Sequence, residues 1–267
     1  MDIKVIVGIL LGVLTVSPVL AGSLASKIGD YMPSLDELGV ELKGAVGVAV
    51  ISSPDYSGSA DNSLSLLPVL IASYKDKYYF KVKRAGVWLY STDDRHLKLG
   101  LAIEPRGGYG AGDSDILSGM GGRETSLEAG VALYWRTPIG VLLEASYDTD
   151  ISSTADGNSA NLKVSVPFYR NQSLTLAGSA AVEWLSRNVV NYYYGVIPSE
   201  ATVFRSAYSP GSTFNYTLAF ISEYRFDEHW RLISGASLRR LGDESAESPI
   251  VTDRYQKLGY VGLGWGF

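Results

Sequence analysis

Two histidines, no cysteine and a scatter of carboxylates are all this chain offers for a catalytic or metal centre. His96 and His229 both fall in tight polar turns between alternating segments. A Ser–His hydrolase acting on lipid needs its base on the wall of the fold, in reach of the nucleophile and beside the substrate. Neither histidine is so placed. The plentiful Ser–Asp combinations therefore lack a base, and both histidines read as solvated turn residues. The absence of cysteine removes disulfides, a thiol nucleophile, thiolate metal ligation and a lipid-anchored N-terminus. Asp113, Asp115 and Glu124 in one polar stretch, and Asp243 and Glu244 in another, carry the oxygen donors that calcium prefers. None has metal-ligand spacing, and they read as solvated acidic loops. The chain is expected to be non-enzymatic, without cofactor or metal.

What remains is charge of both signs on one face of a set of strands. Glu41, Lys43, Lys98, Glu104, Glu128, Arg136, Glu144, Asp148, Lys163, Glu183, Glu223, Arg231 and Arg239 share the face opposite the large apolar residues. On a sheet closed into a barrel of about a dozen strands, that face lines a lumen wide enough for water or for packed polar side chains. Two readings follow: a selective pore, or a lumen filled and stiffened by paired charges.

The elements that hold these residues have period two. In Leu97–Glu104, Leu97, Leu99, Leu101 and Ile103 oppose Lys98, Gly100, Ala102 and Glu104. The stretches 127–136, 139–148, 162–168, 174–184 and 214–224 repeat the pattern. Strict alternation of this length is a strand signal. The apolar faces of these strands carry no charge. Trp135, Tyr147, Phe168, Trp184, Phe214, Tyr224 and Trp230 stand near strand ends, as in the aromatic girdles of outer-membrane barrels. Tight turns at 136–138, 170–172 and 226–229 alternate with long connections at 107–125, 149–159, 186–212 and 242–254. Short periplasmic turns and long extracellular loops give this asymmetry. The expected fold is all-β, a single antiparallel transmembrane barrel in 38–267.

Eleven segments are legible: 38–51, 63–75, 77–91, 95–105, 125–136, 139–149, 159–169, 173–186, 213–225, 229–241 and 256–267. A bacterial barrel needs an even number. Phe80 and Val82 share a parity that Val87 and Leu89 do not, so the phase breaks near Arg84–Gly86. Two short strands there give twelve, the favoured count; a bulge there, with the first or second segment lying outside the wall, gives ten.

Composition agrees with an exported barrel. The chain has 267 residues, 46% hydrophobic and 19% charged, with 18 Tyr, 29 Gly and a net charge of −5 that gives no nucleic-acid footprint. Lys4, the short apolar run 5–13 and Val19-Leu20-Ala21 form the n-region, h-region and cleavage site of a signal peptide over 1–21. Residues 22–37 are a polar periplasmic lead-in. No later stretch is apolar enough for a transmembrane helix.

Several loop motifs carry a family resemblance. They are SPDYSGS at 53–59, LLPVL at 66–70, GMGGRETSLEAG at 119–130, NYYYGV at 191–196, YSPGS at 208–212 and RLGDESAESPIV at 240–251. In this order, with the closing Phe267, they resemble the MipA/OmpV family of outer-membrane proteins across nearly all of the chain that follows the expected signal peptide. The resemblance implies residence in the Gram-negative outer membrane. For the name-giving member it implies a scaffold joining a lytic transglycosylase to a peptidoglycan synthase in cell-wall growth. Other members resemble porin-like proteins, which leaves a channel for small solutes or antibiotics as the alternative. No catalytic residue carries over. Asp55, Tyr56, Tyr192, Tyr193, Tyr194, Gly195, Ser248 and Pro249 are expected to be ordered loop elements. In LGYVGLGWGF at 258–267, Val261, Leu263, Trp265 and Phe267 would face lipid, and Tyr260 the lumen. The segment would pair with the first strand, and Tyr260, Leu263, Trp265 and Phe267 resemble the signal read by the outer-membrane insertion machinery. The expected partners are thus outer-membrane lipid, that machinery and the two murein enzymes.

Overall fold

Phe214, Tyr216, Leu218, Phe220 and Tyr224 point outward along one strand, while Thr213, Asn215, Thr217, Ile221 and Glu223 point inward. A strand so divided cannot bury its apolar face against water; it needs hydrocarbon outside and a polar interior. The computed structural model, which describes residues 44–267, repeats this division around a closed ring. The twelve antiparallel strands are β1 Gly44–Pro54, β2 Asn62–Tyr74, β3 Tyr78–Lys81, β4 Arg84–Ser91, β5 Leu97–Arg106, β6 Ser126–Arg136, β7 Leu142–Asp150, β8 Asn158–Arg170, β9 Leu174–Leu185, β10 Thr213–Arg225, β11 Trp230–Arg240 and β12 Tyr255–Gly266. Each pairs with its sequence neighbours, and β12 pairs with β1 from Ala45↔Gly266 to Ser52↔Gly259. No edge then runs the full height of the bilayer.

The all-β barrel and its twelve strands agree with the sequence expectation; the boundaries differ in three places. The phase break lies at Val82-Lys83, ahead of Arg84–Gly86, because a two-residue turn links β3 to β4 there. Ile139 and Val141 belong to a turn, not to a strand. Thr137 N–H donates to Val141 O at 2.8 Å, and Gly140 sits at φ +85°, a conformation that suits glycine. The long connection at 186–212 contains a helix, α1 Arg187–Tyr194. The signal peptide at 1–21, the lead-in at 22–37, residues 38–43 of the expected first strand, Glu41 and Lys43 all lie outside the described residues.

Outward aromatics form two belts. Tyr74, Tyr78, Trp135, Phe168, Tyr224, Phe226 and Trp230 ring the short-turn end; Tyr147, Phe214, Tyr216 and Tyr255 ring the loop end. The belts mark the two interfaces of the bilayer.

Candidate functional site

The barrel interior divides into a cap of packed loops, a layer of paired charges beneath it and an open cavity below. The cap is built by the connections at 55–61, 107–125, 151–157, 186–212 and 241–254. Val189, Val190, Tyr193 and Tyr194 recur at helical spacing on α1 and are buried against Leu117, Met120, Leu185, Leu241 and Ile250. The tyrosines enter this core with their hydroxyls satisfied. Tyr56 donates to Ile250 O at 2.7 Å and Tyr109 to Tyr193 O at 2.7 Å. The Tyr194 hydroxyl lies 2.6 Å from Ser57 Oγ, and Ser248 Oγ donates to Tyr194 O at 2.6 Å. Burial pushes the Tyr193 phenol up to about 12 and raises those of Tyr56, Tyr109 and Tyr194. All four are neutral at physiological pH.

A charged clamp ties the same loops. Arg123 donates to Glu200 at 2.8 Å and to Tyr192 O and Gly195 O at 2.7 and 3.2 Å. Glu200 also accepts from Gly121 N–H at 2.9 Å. The bond from Arg123, with the backbone donors, holds its carboxyl at about 2 despite burial. Arg205 donates to Glu200 O, Ile116 O and Ser118 O.

Among the expected loop elements, Tyr56, Tyr193, Tyr194 and Ser248 are inside the cap, Tyr192 and Gly195 serve the clamp, and Pro249 lies between Ser248 and Ile250. Asp55 closes its own loop through its N–H to Asp61 O at 3.0 Å. The sequence reading missed Tyr109, Arg123, Glu200 and Arg205. The helical spacing behind Ser186 was a usable signal for α1; the clamp, which joins residues 77 apart, had none.

Glu183 of β9 is the hub of the charge layer. It accepts from Arg106 of β5 at 3.1 Å, from Arg239 of β11, and from Asn215 of β10 at 3.0 Å. Arg106 also reaches Glu128 at 2.6 Å, and Glu128 accepts from Ser159 at 3.1 Å. β5, β9 and β11 are thereby tied across the lumen directly under the cap. A small cavity of about 60 Å³, lined in part by Tyr193, Tyr194, Arg106 and Arg239, lies between the layers. Lower down, Arg84 bridges Glu104 at 3.2 Å and Asp148 at 3.0 Å, Lys163 pairs with Glu144 at 2.7 Å, and Arg231 with Glu223 at 2.7 Å. Lys98 lies 6.0 Å from the Trp88 ring, and Arg136 donates to the Tyr134 hydroxyl at 2.8 Å. All eleven of the expected lumen charges that fall within the described residues point inward. Lys98, Glu128, Arg136, Glu223 and Arg231 lie outside the main cavity, about 260 Å³, which Glu104, Glu144, Asp148, Lys163, Glu183 and Arg239 help to line.

On β12, Tyr260 is buried in the lumen and Leu263 faces outward, as does Phe267 just past the strand's end. The Phe267 ring lies over Gly44, where a Cβ would sit 2.3 Å from it, and Phe267 N–H donates to Gly44 O at 3.0 Å. His229 is not simply a solvated turn residue: its ring stacks on Trp265 at 5.2 Å. His96 Nδ1 is 3.3 Å from Asp94. Among the described residues no group of three acidic or histidine side chains could hold a metal. Asp243 pairs with Arg240 and Arg254, and Glu244 accepts from Gly211 N–H.

Girdles, alternation, and the split between short turns and long loops define an outer-membrane β-barrel. Residues 46–267 match the family described as MltA-interacting protein MipA, and the chain belongs to that family. It is 26% identical over 230 residues to the MltA-interacting protein of Escherichia coli K12, covering 83% of this chain and 88% of that one. It is 27% identical over 234 residues to the putative outer membrane protein YiaT of Escherichia coli O157:H7, covering 85% and 91%. The outer membrane protein OmpV of Vibrio cholerae matches at 37% over 79 residues, 30% of this chain and 31% of that one. The NanC porin is similar in fold, with a TM-score of 0.47 at 11% identity over 82% of this chain and 100% of that one. The protein resides in the outer membrane.

Proposed function

We propose that this chain is a non-enzymatic scaffold, whose periplasmic turns hold a lytic transglycosylase, and through it a peptidoglycan synthase, at the inner face of the outer membrane. The observation that carries this reading is the seal at the other end: a buried loop core over a charge layer that spans the lumen. A barrel so closed to the outside offers its periplasmic rim as its working surface. The name of the Escherichia coli relative points to the same class of partner.

The rim suits a docking role because its turns are preorganised, which lowers the ordering cost of binding. The Asp94 carboxylate accepts from Thr92 Oγ1 at 2.5 Å and His96 N–H at 3.1 Å; Asp227 accepts from His229 and Trp230 N–H at 2.8 and 2.7 Å. These bonds hold both carboxyls below the usual range. Arg95 reaches across to Asp76 at 2.9 Å. The candidate contact segments are the turns at 93–96, 136–138, 170–172 and 226–229.

The test is retention of a purified MltA-type lytic transglycosylase on the immobilised, folded barrel. Retention is expected for the native chain and is lost when Asp94, Arg95 and Asp227 are replaced together by alanine. No retention by the native chain would overturn the reading. A channel for small solutes is the second reading, favoured by the cavity of about 260 Å³.

A further inference from the structure

The barrel wall is incomplete above the β3–β4 hairpin. β2 runs on from Leu70 to Asn62 beyond its last pair with β3, Ile71↔Lys81. β5 runs on through Pro105 and Arg106 beyond its last pair with β4, Ala85↔Ile103. The final bond across is Val82 N–H to Leu70 O at 3.1 Å. Among the described residues no backbone group pairs with either edge above it. Leu64 and Leu66 are 75% and 70% exposed, the highest values among the apolar wall residues, as expected with a neighbouring strand missing.

Two prolines fit a permanent notch. Leu70 O faces β3, so the even-numbered backbone groups of β2 turn toward the notch, and Pro68 shares that parity. Arg136 N–H donates to His96 O, so the even-numbered groups of β5 turn toward β6 and the odd-numbered ones, Pro105 included, toward the notch. Proline in a sheet occupies edges where a donor is not required, or bulges. Pro167 lies beyond the last β7–β8 pair, Leu142↔Ser165, and adjoins the β8–β9 register shift. Pro68 and Pro105 have no such shift in their pairs with β1 and β6. The hairpin tip adds a third sign. Val82 holds φ +57°, a left-handed conformation that costs a β-branched residue about 1–2 kcal/mol. The strand turns back there without a favourable turn residue.

The notch lies within the bilayer. At ~3.3 Å per residue and a tilt of ~40°, Tyr74 to Leu64 on β2 spans about the ~25 Å apolar band, and the hairpin covers only its inner part. Open sheet edges are not tolerated in hydrocarbon unless they line a wet or filled cavity. Just inside lie Val69 and Val82, then Trp88 stacked on Tyr79 at 4.6 Å and 6.3 Å from Tyr134, with the Arg84–Glu104 pair alongside. The rim is apolar, the interior carries charge, and the cap shuts the route from above.

We infer that this notch is a lateral port for small amphipathic molecules passing between the outer half of the bilayer and the lumen. The aromatic or aliphatic body of such a molecule seats on Trp88, and its polar group lies beside Arg84 and Glu104. This function is additional to scaffolding and does not rest on it.

The chain has no cysteine, so a single introduced thiol reports one place. A bimane label is placed at Val69→Cys, inside the notch, or at Ser179→Cys, on the lumen face of β9. Each protein is reconstituted in palmitoyl-oleoyl phosphatidylcholine with or without brominated acyl chains. Quenching several-fold stronger at Val69→Cys is expected; equal quenching at both positions overturns the port. In the same vesicles N-phenyl-1-naphthylamine should bind saturably, and Trp88→Ala should weaken binding about tenfold. Unchanged binding by a folded Trp88→Ala also overturns the proposal. Val69→Trp, which narrows the port without touching the seat, should slow probe uptake; unchanged uptake is equally fatal, whether or not Trp88→Ala folds.

Discussion

Glu200 is the residue on which the cap turns, and its behaviour with pH follows from its bonds. Its folded carboxyl titrates at about 2, against 4.5 for an ordinary glutamate. The folded value is the lower, so its contribution is complete above about pH 4.5 and is lost as pH falls through about 2. The protection factors of the 107–125 and 186–212 amides, which remove the intrinsic pH dependence of exchange, should therefore fall across that window and hold level between pH 5 and 8. Glu200→Gln should loosen the same amides at neutral pH by about 2 kcal/mol, the scale of a charge-assisted bond. Unchanged exchange in the variant would show that Arg123 holds the loops without it. At this scale the sequence was legible where a residue's own type limits its place. Tyr56 and Tyr194 read as ordered through the family resemblance of their loop motifs, in which aromatics serve loop packing. Arg123 and Glu200 did not, because surface arginine and glutamate look the same whether or not a partner waits on a distant loop.

Strands were more legible than single residues, since period two is written in each one locally. The outward face of β10 was readable from Phe214 to Tyr224, and Leu218 at its middle gives the measure of it. Leu218→Arg should cost about 2–4 kcal/mol in urea unfolding from vesicles, while Thr217→Arg, one residue on, meets the polar lumen. Equal costs would mean that the faces are assigned wrongly. β3 was the hard element: four residues cannot establish a period, and only the parity conflict between Val82 and Val87 betrayed the turn. α1 was missed because eight residues in a long connection read first as loop. On β12, deletion of Phe267 removes both the ring over Gly44 and the amide bond to its carbonyl. It should impair assembly more than Phe267→Tyr, read as heat-modifiable migration; wild-type migration by both would remove Phe267 from the insertion signal.

As a whole molecule the protein is a barrel shut at one end, and that should show in its electrical behaviour. In planar bilayers the native protein is expected to pass no steady current, because loop core and charge layer lie in series across the lumen. Deleting 187–206 together with Glu183→Ala, which removes the hub of the charge layer, should open it; a native conductance at neutral pH would favour the channel reading. The barrel class was legible from alternation, girdles and loop lengths. The cap was not, because its core is assembled from five separate connections, each polar enough to pass for solvated loop. The seam between β1 and β12 has a further consequence, in time. It joins Ala45 to Gly266, the two most distant strands along the chain, and much of the β12 side of the seam is glycine. Contacts of such sequence separation form late, after shorter loops have closed. Until the final strand is available, the first has only β2 beside it and leaves an aggregation-prone edge. Synthesis and closure are thus necessarily separate events, and the interval between them is when this chain most needs a chaperone.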